Sequence, residues 1–208
     1  MTTFETALGV NTSVDDSIGN TNGAWDDIQG KVTLGDAVAN PTYEAYRNTS
    51  WKTWFLRHDQ ADEIHLALQL PHMWNPETDV KFHVHYIPMV NPPAAKTFAL
   101  AGTYSWAVYG EATPANSGWT PWTATDTIST TDAFKEKIIS CFTATPPSTA
   151  KESAILLIYL KRDTTPDTYD TDKSVPTEGA TAAANIAILS LDAHFEKNKD
   201  GTNEEFPS

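Results

Sequence analysis

QLPHMWNPETDVKFHVHYIP, residues 69–88, is the stretch from which the rest of the chain can be read. Its second half alternates. Val80, Phe82, Val84 and Tyr86 share one face of an extended segment, and Lys81, His83 and His85 share the other, because successive side chains on a strand point to opposite sides. Just upstream, residues 63–70 alternate in the same way. Ile64, Leu66, Leu68 and Leu70 form an apolar face, with Glu63, His65 and Gln69 opposite. Between the two runs lie residues 71–79, rich in Pro, Asn and Asp, a length that allows a hairpin with a long loop. If the two strands pair, His65, His83 and His85 lie on one surface.

Working outward, the chain offers further short apolar or aromatic runs bounded by Pro, Gly, Asn and Asp. These are residues 31–34, 51–56, 98–109, 123–131, 137–142, 153–161 and 185–195. The run at 153–161, rich in Ile and Leu, is expected to be a central strand. Asp132 is expected to cap a single helical turn over residues 132–136. About eight strands with long polar loops and no sustained helical period predict an all-β fold. The expected form is an antiparallel β-sandwich of jelly-roll type, with an immunoglobulin-like sandwich as the nearest rival. The expected organisation is a polar N-terminal arm over residues 1–24, the sandwich over 25–196 and a polar tail over 197–208. The Asp- and Thr-rich stretch 163–177 is expected to be a surface excursion.

Composition narrows the function classes. The 208 residues carry 27 acidic and 14 basic side chains, a formal net charge of −13. Direct binding to nucleic acid, which needs clustered Lys and Arg, is not expected. The N-terminus has neither a basic start nor an apolar core, so a secretory leader is not expected there. The longest apolar run, residues 154–160, is too short to span a bilayer. The lone cysteine, Cys141, sits in an apolar run and reads as a buried small hydrophobe.

No nucleophile elbow, phosphate-binding loop, dinucleotide fingerprint or zinc-protease motif is present. The adjacent acidic pairs Asp15-Asp16, Asp26-Asp27 and Glu204-Glu205 point to opposite faces when extended, which does not suit an acid/base couple. No catalytic residue and no cofactor is therefore expected. Three ligand readings stand beside that expectation. His83 and His85 aim two imidazoles the same way, an arrangement that suits Zn, Fe, Mn or Cu. His65 is a candidate third ligand and His194 a distant one. The cupins use such a pair with a nearby Glu and a third His, but here the next carboxylate in sequence is Glu111. Asp163, Asp167, Asp170 and Asp172 could gather Ca²⁺, although a solvated acidic loop is the simpler reading. Sugar sites use exposed aromatic platforms, for which Trp74, Trp119 and Trp122 are the candidates, with Trp51, Trp54 and Trp106 assigned to the core.

The run Gln69-Leu70-Pro71-His72-Met73-Trp74, then Thr78-Asp79, then His83-Val84-His85-Tyr86-Ile87-Pro88, resembles a pattern in uncharacterised proteins of tailed bacteriophages and prophages, similar to "QLPH-x-W … TD … HVHW-x-P". Tyr86 stands where that pattern has an aromatic, often Trp. The resemblance implies a virion structural protein (capsid, head-decoration, vertex or tail) made in the host cytoplasm. Its partners would be further copies of itself, as a trimer or larger, and other virion proteins. Host surface glycans are a further candidate partner. On this reading His72, Trp74, His83, His85, Trp119 and Trp122 are interface or ligand contacts. The rivals are a carbohydrate- or receptor-binding module and a cupin-like metal-binding protein.

Overall fold

A computed structural model describes residues 25–34, 41–57, 62–115, 118–169 and 184–197. The arm at 1–24, the tail after Lys197, and residues 170–177 of the expected excursion, with Asp170 and Asp172, lie outside the described residues.

Eleven strands are described. They are β1 (Trp25–Gln29), β2 (Thr33–Leu34), β3 (Thr42–Ala45), β4 (Lys52–Arg57), β5 (Glu63–Gln69), β6 (Val80–Pro88), β7 (Lys96–Ala107), β8 (Thr120–Ile128), β9 (Lys137–Ala144), β10 (Ile155–Arg162) and β11 (Ala184–Glu196). They form two antiparallel sheets. The larger runs β3-β4-β11-β6-β9, with β1 also on β11, and the smaller runs β2-β5-β10-β7-β8.

The pairing is nested. β7 pairs with β8, β6 with β9, β5 with β10 and β4 with β11. A ribbon of two antiparallel strands wound across two sheets gives this order, which is the jelly roll. The connection from β5 to β6 therefore passes between sheets and is not a hairpin. A hairpin would leave the apolar faces of both strands on one sheet. Here Ile64, Leu66 and Leu68 of β5 meet Val80, Phe82, Val84 and Tyr86 of β6 across one core. Burying both apolar rows against each other removes more surface from water.

β10 is central in its sheet, flanked by β5 and β7. Leu156, Ile158 and Leu160 point inward. The next inward position is Arg162, fully buried. Its Nε donates to Asp167 Oδ2 at 2.7 Å, and its Nη2 to the Tyr169 carbonyl at 2.8 Å and to Asp167 Oδ1 at 3.2 Å. Asp167 and Tyr169 are buried, so residues 163–169 fold back onto the sandwich and do not form the expected excursion. A buried cation needs such partners, and the chain supplies them five and seven residues on. The expected helical turn at 132–136 is a hydrogen-bonded turn, in which Asp132 accepts backward from the Ser129 N–H at 2.8 Å.

Two bulges flank the centre of β6. On β11 the register slips between Ile188 and Ser190, leaving Leu189 as the extra residue. On β9 it slips opposite Phe82 and His83, leaving Cys141 extra. A bulge changes which side chains face in. Before it, Ile186 and Ile188 enter the core; after it, Leu191, Ala193 and Phe195 do. Without the extra residue, Ser190, Asp192 and His194 would face the core. With it they face outward.

Candidate functional site

The outward row of β6 holds Lys81, His83 and His85. β11 lies on one side of it and β9 on the other. Asp192 is the direct cross-strand partner of His83, placed on this face by the Leu189 bulge. Three polar atoms converge. His83 Nε2 and His85 Nε2 are 3.0 Å apart. Asp192 Oδ2 lies 3.4 Å from His85 Nε2 and 3.8 Å from His83 Nε2. The supporting contacts come from the flank of β9 and from β11. Glu136, just before β9, accepts from His85 Nδ1 at 2.6 Å. The Ser190 hydroxyl donates to Asp192 Oδ1. With Nδ1–H committed to Glu136, His85 presents an Nε2 lone pair to the cluster. His194 stacks edge-on against His83 with ring centroids 4.3 Å apart, but its Nε2 is 2.9 Å from Asp27 Oδ1 on β1 and turned from the three.

His83 and Asp192 are both buried. Burial pulls the His83 pKa below its ordinary value, and the neighbouring His194 and His85 add to this. His83 is thus held toward its neutral form, the form in which an imidazole nitrogen can act as a ligand. His83 and His85 floor a groove of about 460 Å³ whose walls include Ile138, Ser140 and Thr143 of β9 and Asp27 of β1.

The other sequence candidates are dispersed. His65 is on the outer face of the smaller sheet, edge-on to Tyr159 at 5.3 Å. It does not join His83 and His85, because β5 and β6 belong to different sheets. His72 is half-buried in the loop between β5 and β6. Trp74 is no surface platform. It is fully buried, stacked on Trp106 at 5.4 Å and 6°, where the residue 69–79 segment closes one end of the sandwich. Trp122 is also buried, packed on Phe142 at 5.2 Å. Trp119 is half-buried at the entrance to β8. Trp51, assigned from sequence to the core, is 45% exposed, as is Trp25. Asp167 belongs to the ion pair with Arg162 and not to a calcium loop.

Sequence reasoning missed Asp192 and Glu136. Both are distant in sequence from the His-x-His pair and reach it only through sheet pairing. The signal for Asp192 was present. Ser190, Asp192 and His194 repeat every second residue in an otherwise apolar strand, which marks one polar face. Cys141 is buried, and burial pushes its thiol pKa up, which suits packing and not nucleophilic chemistry. No helix among the described residues is long and apolar enough to cross a membrane.

No family model matches the chain, and no curated protein matches it. Among solved structures it is similar to "CBM35 from Cellvibrio japonicus Abf62", at 11% identity and a TM-score of 0.37, over 84% of this chain and 99% of that one. It is also similar to the CBM22-1–GH10 modules of the Clostridium thermocellum endo-1,4-beta-D-xylanase 10B complexed with xylohexaose. That match has 11% identity and a TM-score of 0.33, and covers 88% of this chain and 27% of that one.

Proposed function

We propose that this chain is a virion structural domain that acts by association, using the outer face of its larger sheet, and not by turnover. The observation that carries the reading is an unusual surface. Trp25 and Ile138 are 45% and 55% exposed on the face that holds the histidine groove, Trp25 lying under the Lys81 ammonium at 4.5 Å. Large apolar side chains around a partly polar groove fit the make-up of a protein interface, in which aromatic side chains serve as anchors. The resemblance of residues 69–88 to a phage and prophage pattern supports a virion setting, and the rigid jelly roll suits repeated, symmetric packing.

The test is the mass of the native protein. An oligomer of three or more chains is expected at micromolar concentration, and Ile138→Asp is expected to shift it to monomer while leaving the circular-dichroism spectrum unchanged. A wild-type protein that stays monomeric, or an oligomer indifferent to Ile138→Asp, would overturn the reading.

A second reading, a carbohydrate- or receptor-binding module, is favoured by a different place from the one the sequence suggested. β1 and β4 pair with opposite ends of β11 along the same edge. The gap between them is a cleft of about 230 Å³ lined by Tyr43, Trp51 and Trp54. Tyr43 is 54% and Trp51 45% exposed, so aromatic faces are available to a sugar ring. If this reading holds, soluble glycans are expected to quench tryptophan fluorescence, and Trp51→Ala to abolish the effect while Trp119→Ala leaves it. The absence of quenching across a glycan panel would remove it.

A further inference from the structure

We propose that His83 Nε2, His85 Nε2 and Asp192 Oδ2 form a binding site for one divalent first-row transition metal of the Zn²⁺ class, on the outer face of the larger sheet. The inference stands on the geometry of these three atoms and does not depend on the assembly reading.

The three separations, 3.0, 3.4 and 3.8 Å, define a triangle. The point equidistant from its corners lies about 2.0 Å from each, the distance at which Zn²⁺ meets imidazole nitrogen and carboxylate oxygen. The three separations need not change for an ion to sit there. Two imidazoles and a carboxylate form a mixed nitrogen and oxygen set, which suits Zn²⁺, Fe²⁺, Co²⁺ or Mn²⁺. Ca²⁺ and Mg²⁺ prefer oxygen-only shells.

The surroundings are those of a supported ligand set. His85 is held by Glu136 through its far nitrogen, and Asp192 by Ser190 through its other oxygen. Such outer contacts fix the orientation of metal ligands. Two bulges, at Leu189 and Cys141, lie beside the pair, and the first of them puts Asp192 on the same face. Three protein ligands leave at least one coordination position open to the groove. Compared with the candidate set His65, His83 and His85 read from the sequence, His65 is replaced by Asp192, and the site lies outside the sandwich.

The experiment uses the full chain without a polyhistidine tag. It is stripped with chelator and titrated with Zn²⁺, then with Co²⁺, whose visible absorption reports coordination. Native mass spectrometry counts ions per chain. One ion per chain is expected. His85→Ala and Asp192→Asn are each expected to weaken binding by more than the roughly 10–100-fold typical of losing an outer contact, and Glu136→Gln by about 10-fold. His65→Ala is expected to bind as the wild type does. Circular dichroism establishes that each variant is folded. Using two unlike ligand variants keeps the test decisive if one misfolds. A wild type that takes up no stoichiometric metal would overturn the proposal. So would a His85→Ala and an Asp192→Asn protein that both bind as tightly as the wild type. Because the readout is ions per chain and not oligomer mass, its failure is separable from failure of the assembly reading.

Discussion

Replacing Arg162 by methionine is expected to lower the unfolding free energy by about 3–5 kcal/mol, the usual cost of breaking a buried ion pair from one side. Arg162 occupies the inward row of β10 after Leu160 and is fully buried. Its guanidinium donates to Asp167, to the Tyr169 carbonyl at 2.8 Å and to the Leu56 carbonyl at 3.2 Å. It thereby joins the end of β10 to β4 in the other sheet and to the turn that follows. Methionine matches the aliphatic stem but leaves the buried Asp167 carboxylate without its cation, and two carbonyls lose donors. Urea unfolding of wild type, Arg162→Met, Asp167→Asn and the double variant measures this. The double variant is expected to lose at least ~1 kcal/mol less than the sum of the singles, since both sites share one network. Additive losses, or an unchanged midpoint in Arg162→Met, would show that the pair contributes little.

Gly102→Ala is expected to be comparably severe, at about 3 kcal/mol or more, above the ordinary range for overpacking. Gly102 pairs with Leu160 on one side and Trp122 on the other. A Cβ at this position would lie 1.9 Å from the Tyr159 carbonyl oxygen and 2.9 Å from the Trp122 ring. The first obstacle is backbone in the central strand, so relief requires β7 and β10 to part. The expected signature is a large fall in the urea midpoint or failure to accumulate as soluble protein. Adding Trp122→Ala to Gly102→Ala is not expected to restore stability, because it leaves the carbonyl in place. A Gly102→Ala protein within ~0.5 kcal/mol of wild type would refute the close approach.

The strands were legible wherever side chains alternate and turn residues bound the run. β6, β9, β10 and β11 lie within a few residues of where alternation puts them. Pairing was less legible. The alternation of β5 and β6 is equally compatible with a hairpin and with strands facing one another across a core, and only the whole nested order decides. Arg162 was hidden because charge reads as exposure until its partners are known. Trp74 reads as a loop residue from its Pro and Asn neighbours, although the loop is tucked under the sandwich end. The site was half legible. A His-x-His pair announces itself, whereas Asp192 depends on a one-residue bulge at Leu189. Within Ile188-Leu189-Ser190-Leu191 the alternation breaks, so the polar face of Ser190, Asp192 and His194 is visible in the sequence but its placement beside His83 is not.

The nested pairing also sets an order of events during synthesis. β7 and β8 are joined by the shortest connection of the four nested pairs, so their ribbon closes first, and each outer pair then forms across ends already drawn together. The outermost of the four nested pairs, β4 with β11, joins Trp54 to Ile188. Until β11 leaves the ribosome, β4 and β6 lack the strand that lies between them, and their open edges are exposed to any passing chain. Since Asp192 is on that same strand, the histidine groove is completed only at the final step. A nascent chain can therefore hold most of a jelly roll while Asp192 is still missing from beside His83 and His85.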